Sequence, residues 1–343
     1  MNSIARTWDS IADRHPIGRF VDACLRGASQ VMLQNNPLTG LLILGAIAWG
    51  SIRTGTAAVI VGVLVALIVG TLTARLLRVS AASWRQGLFG FSPLLTGAAL
   101  TTFLADRPLL WVYVVLGAAV TTVVTLALSN VLRIWGVAAL TFPFVLTSWF
   151  LLMGAYQFAR IGISTLSHPA LPVPSERANV PLTFEFLATG MLKGVAQVFL
   201  IDDWISGVVI LVALAVNSRA VAVAAILGTV VGTFVAIGLG VYGDPIGKGL
   251  WGFNAVLTAV ALAVVLYRPS PAVAVYALLG TITAVCVQAA LTTALTPLGI
   301  PTLTAPFVIA TWLFLLPKRD FAPIAHHERV EEATAVTTAR PRR

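Results

Sequence analysis

Charge is what this sequence has least of. Only 10% of its 343 residues are Asp, Glu, Lys or Arg, against about a quarter in soluble domains, and that shortage excludes a solvated globular chain. Histidine is nearly as scarce: His15, His168, His326 and His327 all fall outside the apolar runs, so no metal-ligand spacing arises there. No Ser/His, paired-Asp or His/Glu constellation occurs inside the runs either, which argues against an intramembrane enzyme. The 13 acidic residues sit at predicted segment edges or in the tails. An ion-coupled secondary transporter would place an ionisable group near mid-membrane. Cys24 and Cys286 are the only cysteines, so a disulfide framework is not expected. The alternating pattern of a membrane β-barrel is absent. Residues 1–16 lack the apolar core and small-residue cleavage site of a signal peptide.

What is present is apolar length. Hydrophobic residues make up 58% of the chain and the mean hydropathy is +0.92. Runs near twenty residues recur, long enough to cross a hydrocarbon core of about 30 Å as helices. The composition predicts an all-α polytopic membrane protein whose partner is the lipid bilayer. The net charge of +9 is no nucleic-acid signal, because its Lys and Arg lie in tails and between runs, where juxtamembrane positives set orientation. Apolar segments are expected near 17–35, 38–51, 55–78, 87–104, 108–128 and 135–157. A Pro- and Ser-rich linker covers 158–182. A second set follows near 183–201, 204–217, 219–240, 249–267, 269–290 and 299–317, and a polar tail, 318–343, closes the chain. The first segment, interrupted by Asp22, Arg26 and Gln30, is too polar to face lipid and suits a buried or re-entrant helix.

The chain is also duplicated. GLFGFSPLL at 87–95 returns as GLWGFNAVL at 249–257, an offset of 162 residues. LRGASQVML (25–33) returns as LKGVAQVFL (192–200), and LTFPF (140–144) as LTAPF (303–307). Five crossings plus one half-helix per repeat is an odd count, so the second repeat enters from the opposite face. Ten crossings return both termini to one side, and the basic residues Arg14, Arg19, Lys318 and Arg319 assign that side to the cytoplasm. The expected fold is thus two inverted homologous repeats, 17–157 and 183–317, flanked by a cytoplasmic N-terminal segment, 1–16, and the C-terminal tail.

The repeated stretches carry polar and aromatic groups where spans normally carry Leu and Val. Gln30 and Gln197 offer amides, Phe91 and Phe253 flat π-faces backed by Leu95 and Leu257, Thr141 and Thr304 hydroxyls. Pro143 and Pro306 remove helix bonds and free carbonyls around 139–140 and 302–303. Such a ladder of acceptors beside aromatic plates suits a flat, neutral molecule rich in N–H donors. Each group alone has a plainer explanation. A single Phe is more often core, a Gln is often interhelical glue worth about 0.6–2 kcal/mol, and a membrane Thr most often bonds back to its own helix. Recurrence of all of them in both halves favours a shared site. Arg26 and Lys193 are expected to snorkel to headgroups, and Asn35, Asn36, Asp202 and Asp203 to cap helices.

These stretches resemble the urea transporter family. Its Leu-Pro-x-x-Thr-x-Pro-Phe signature is matched in the second half by Ile300, Pro301, Thr302, Leu303, Thr304, Ala305, Pro306 and Phe307; the first copy, 137–144, keeps Thr141, Pro143 and Phe144 but lacks the leading Leu-Pro. The family's Gly-Phe-Asn stretch is Gly252, Phe253 and Asn254, while the first half has Ser92-Pro93 in place of asparagine. R-G-x-x-Q-V followed by N-N-P-x-x-G runs from Arg26 to Gly40. The resemblance covers about 20–317. It implies a homotrimer in which each protomer has its own pore between the repeats and passes urea down its gradient, with no cofactor and no enzymatic step. Carried over residue by residue, it places Gln30, Val31, Leu33, Phe91, Leu95 and Thr141 of the first half on the pore, with Gln197, Val198, Leu200, Phe253, Leu257 and Thr304 of the second. The alternatives are an ion-coupled transporter or a channel for ammonia or another small neutral amide.

Overall fold

The computed structural model describes residue 12 and residues 15–173, 183–241 and 243–317. The C-terminal tail, most of the N-terminal segment and linker residues 174–182 lie outside the described residues. Within them the first half builds seven α-helices: α1 (Pro16–Gln30), α2 (Pro37–Arg53), α3 (Ala58–Leu76), α4 (Ala81–Arg85), α5 (Phe91–Phe103), α6 (Pro108–Leu132) and α7 (Phe142–Ala155). The second half repeats them as α8 (Phe184–Ala196), α9 (Trp204–Asn217), α10 (Arg219–Gly238), α11 (Gly243–Gly247), α12 (Phe253–Val260, continued as a π-turn to Val265), α13 (Pro271–Leu295) and α14 (Ala305–Leu315).

Local sequence explains the starts. Proline opens α1, α2, α6 and α13, where its missing N–H has no helical partner to lose. Asn36 accepts from the amides of Leu38 and Thr39, and Asp203 from that of Ser206 at 2.8 Å. Both are the helix caps expected of them. The short α4 and α11 fall in the gaps left between the expected segments, 79–86 and 241–248, where hydropathy gives no sign of a five-residue helix.

Helices α3, α6, α10 and α13 are long and apolar enough to span a membrane, and α8 with α9 reaches that mark only as a pair bent by 72°, the geometry of a broken span or a re-entrant loop. Val61, Leu64, Ile68 and Leu72 form an exposed stripe along one face of α3, at spacings that put them on one side of a helix. In water such a stripe would be a liability; against lipid it is a fit surface. On its other face α3 packs closely on α5, with no room for a side chain on Gly97 because Gly62 O would lie 2.3 Å from its Cβ.

The backbone itself repeats. Left-handed residues recur in pairs: Leu33 with Leu200, Arg78 with Gly240, Gly87 with Gly249, Gly136 with Gly299, and Leu140 with Leu303. Contacts between the halves are reciprocal. Thr39 Oγ1 donates to Ala213 O at 2.9 Å and Ser206 Oγ to Ala46 O at 2.9 Å. Residue 206 is the counterpart of 39, and 213 of 46, so α2 and α9 are equivalents that run antiparallel about a local two-fold axis. Trp149 Nε1 donates to Pro301 O at 2.9 Å, and Trp312 Nε1 to Ala138 O at 2.8 Å. The axis passes between these two tryptophan bonds.

Candidate functional site

Each half reaches the axis by the same turn. A 3₁₀ turn ends on left-handed Gly136 or Gly299, a short extended stretch follows, and left-handed Leu140 or Leu303 swings the chain into α7 or α14. Thr141 and Thr304 stand at the two helix starts, both 3% exposed. Their hydroxyls meet across the axis at 2.6 Å, and neither caps its own helix. The plain explanation for a membrane threonine, a bond back to its own helix, is therefore not how these two are satisfied.

The carbonyls upstream of the prolines are only partly free. Ala139 O accepts from Phe142 N and Thr302 O from Ala305 N, while Val145 N and Val308 N return to Thr141 O and Thr304 O. The extended stretch lets the chain close a tighter turn in place of the helix bond proline removes. Ala138 O and Pro301 O are taken by the tryptophans. Leu303 O accepts from Asn254 Nδ2 at 3.3 Å, and no such bond reaches Leu140 O among the described residues.

Gln30 ends α1, and Gln197 directly follows α8. Their Nε2 groups donate to Gln86 O at 2.9 Å and Lys248 O at 3.0 Å, in the loops that lead to α5 and α12. Each amide is thereby held from one side with its oxygen uncommitted to those loops. Phe91 and Phe253 open α5 and α12, partly buried, against the main hydrophobic core. Val31, Leu95, Val198 and Leu257 belong to that core and are at most 1% exposed. Leu33 and Leu200, also packed on the core, carry φ of 57° and 60°.

Backbone strain clusters here. Among the described residues, four of the five non-glycine residues with positive φ are Leu33 and Leu200, themselves candidates, and Leu140 and Leu303, each directly before a candidate threonine. A left-handed leucine costs about 1–2 kcal/mol, and such outliers persist where the surroundings over-determine them, often at functional sites.

The expectation that Arg26 and Lys193 reach headgroups is corrected. Arg26 Nε lies 2.8 Å from Asp22 and its Nη1 3.0 Å from Asn35 Oδ1, while Lys193 Nζ lies 2.8 Å from Asp202. The cations fasten the break between α1 and α2, and between α8 and α9, because a carboxylate or amide stands within reach at lower cost than the membrane surface. Residues missed by the sequence argument include Gln288, Trp149 and Trp312; Asn254 stands in the Gly-Phe-Asn stretch without a role assigned to it there. The two tryptophans repeat at the offset of the threonines, a signal that was available. Among the described residues no group of His, Cys, Asp or Glu is arranged to hold a metal, and both cysteines are free.

Comparison with known proteins points one way. The family model described as "Urea transporter" matches residues 21–319. Urea transporter 1 of Ovis aries is 29% identical over 317 residues, 89% of this chain and 79% of that protein. Urea transporter 1 of Rattus norvegicus is 27% identical over 313 residues, with the same shares covered.

Proposed function

The chain belongs to the urea transporter family, and from that premise we propose that urea crosses along the local two-fold axis, with Thr141 and Thr304 at the narrowest point. The protein is a multi-pass membrane protein and a passive transporter of urea. The observation that carries the site assignment is the 2.6 Å contact between two buried hydroxyls, one from each half. A buried polar group in a bilayer has to find a partner or line a passage. These two find each other, so a permeant at this depth can exchange that single bond for bonds of its own.

Urea is planar, with N–H donors on two edges and one acceptor oxygen. Gln30 and Gln197 present amide oxygens on either side of the centre. Phe91 and Phe253 supply flat faces against which a dehydrated planar amide keeps contact while it sheds water. No fixed charge stands among these groups, so nothing replaces the hydration shell of an ion. In the bilayer the antiparallel equivalents make inverted repeats, 17–157 and 183–317. Each then has about five crossings and a re-entrant half-helix, with both termini cytoplasmic. The assembly is a homotrimer with one passage per protomer, a state that light scattering of purified protein tests directly.

Shrink–swell flux in liposomes tests the transport reading. Urea is expected to pass much faster than glycerol, because a polyol of similar size cannot lie flat between the rings. Equal rates would overturn the slot. Flux should also be electrically silent and independent of pH between about 5 and 8, the range in which an unperturbed histidine titrates. A current proportional to urea flux would restore the ion-coupled alternative.

A further inference from the structure

The two repeats differ at one buried polar position, and the difference leaves a hole in the hydrogen bonding of the first. In the second half Asn254, 1% exposed, serves three groups at once. Its Oδ1 accepts from Phe307 N at 3.2 Å, at the exposed start of α14's amide ladder, and its Nδ2 donates to Leu303 O at 3.3 Å and to Gln288 Oε1 at 2.9 Å. The counterpart in the first half is Ser92, also 1% exposed, whose Oγ has no partner among the described residues. Phe144 N and Leu140 O, counterparts of Phe307 N and Leu303 O, have no bond equivalent to those of Asn254 among the described residues. The helix offers no relief of its own, since Thr141 does not cap α7 with its side chain.

Space changes in the same sense. Asn to Ser removes two heavy atoms, and Gln288 is replaced by the shorter Thr125, whose hydroxyl is committed to Thr121 O at 2.8 Å. Pro93, which stands where Ala255 does, adds ring atoms, but its ring lies against Gly70 of α3. Leu126, beside Thr125, packs into a separate cluster with Trp84 and Phe89. Helix α5 still packs on α7, so the deficit is enclosed.

We propose that the first repeat holds one buried water molecule between Ser92 Oγ, Phe144 N and Leu140 O, taking the place of the missing asparagine amide. Water matches the three groups: it accepts from the Phe144 amide, donates to the Leu140 carbonyl and bonds the Ser92 hydroxyl. Three partners is the usual complement of a buried water. Left unfilled, a buried amide and hydroxyl would each cost about 1–3 kcal/mol. The pore centre is therefore asymmetric: one half is fastened by a side chain and the other by an exchangeable solvent molecule.

High-resolution structures of the full-length protein and two variants test this. The wild type should show ordered density within about 3 Å of all three atoms. Ser92→Asn should lose that density, place its amide as Asn254 does, and raise the melting temperature by a few degrees. Asn254→Ser should gain a mirrored water at Phe307 N and Leu303 O and melt lower. Should Ser92→Asn fail to fold for want of room, the Asn254→Ser structure still decides. A wild-type site that is empty, with the Ser92 hydroxyl turned to a protein carbonyl, overturns the proposal. So does an Asn254→Ser variant whose second half collapses without admitting water.

Discussion

Gly249→Ala is expected to leave little folded protein. Gly249 has φ of 70°, and a Cβ there would lie 2.2 Å from Gly194 N and 2.6 Å from Lys193 C. Its counterpart Gly87, at φ of 73°, would meet Gly27 N at 2.2 Å. Both contacts are to backbone, which has no rotamer with which to retreat. The left-handed conformation alone costs an alanine about 1–2 kcal/mol; the clash adds the displacement of a helix that carries a candidate glutamine. A destabilisation above about 4 kcal/mol, at the extreme of single substitutions, is the expected sum. Gly55 separates the two contributions, because its φ is 72° but nothing lies within 4 Å of the added carbon. Gly55→Ala should therefore lose only the conformational share. Thermal melts and gel filtration of the two variants make the comparison. If Gly249→Ala and Gly55→Ala melt together, the close approach of the loop to α8 is not what fixes this crossing.

That crossing also explains how far the sequence could be read. The glycine is visible in the repeated GLxGF stretch, and its recurrence 162 residues apart marked both loops as special. Repetition made the duplication, the threonine pair and the helix caps legible, since each is a residue type whose chemistry has few uses in a bilayer. The left-handed leucines were not legible, because leucine carries no local signal for that conformation; only the surrounding fold imposes it. Proline at 143 and 306 announced missing helix bonds, yet the freed carbonyls at 139 and 302 are reclaimed by turns one residue earlier, and turn closure depends on backbone angles that the sequence does not state. The replacement of Asn254 by Ser92 was visible as a departure. Its consequence for Phe144 and Leu140 needed three-dimensional neighbours.

Thr304→Val should slow urea without unfolding the protein. Valine keeps the volume and removes the hydroxyl, so Thr141 loses its partner at 2.6 Å and the permeant loses a donor and acceptor where it is least hydrated. The lost hydrogen bond should raise the barrier by roughly 1–1.5 kcal/mol, about tenfold in flux per folded protomer. Thr141→Val should match it, since the local two-fold places the two residues equivalently. Stability distinguishes this from a scaffold role. Each single variant strands one buried hydroxyl and should melt lower than wild type, whereas the double variant, with two valines facing, removes both partners and should recover much of that loss. Flux should behave oppositely: the double variant offers urea no hydroxyl at all and should be at least as slow as either single one. The decisive quantity is stopped-flow urea flux, normalised to folded protein, set beside the melting temperature of each variant. If flux recovers in the double variant together with stability, the hydroxyl pair holds the halves together and does nothing for the permeant, and the narrowest point of the passage lies elsewhere along the axis.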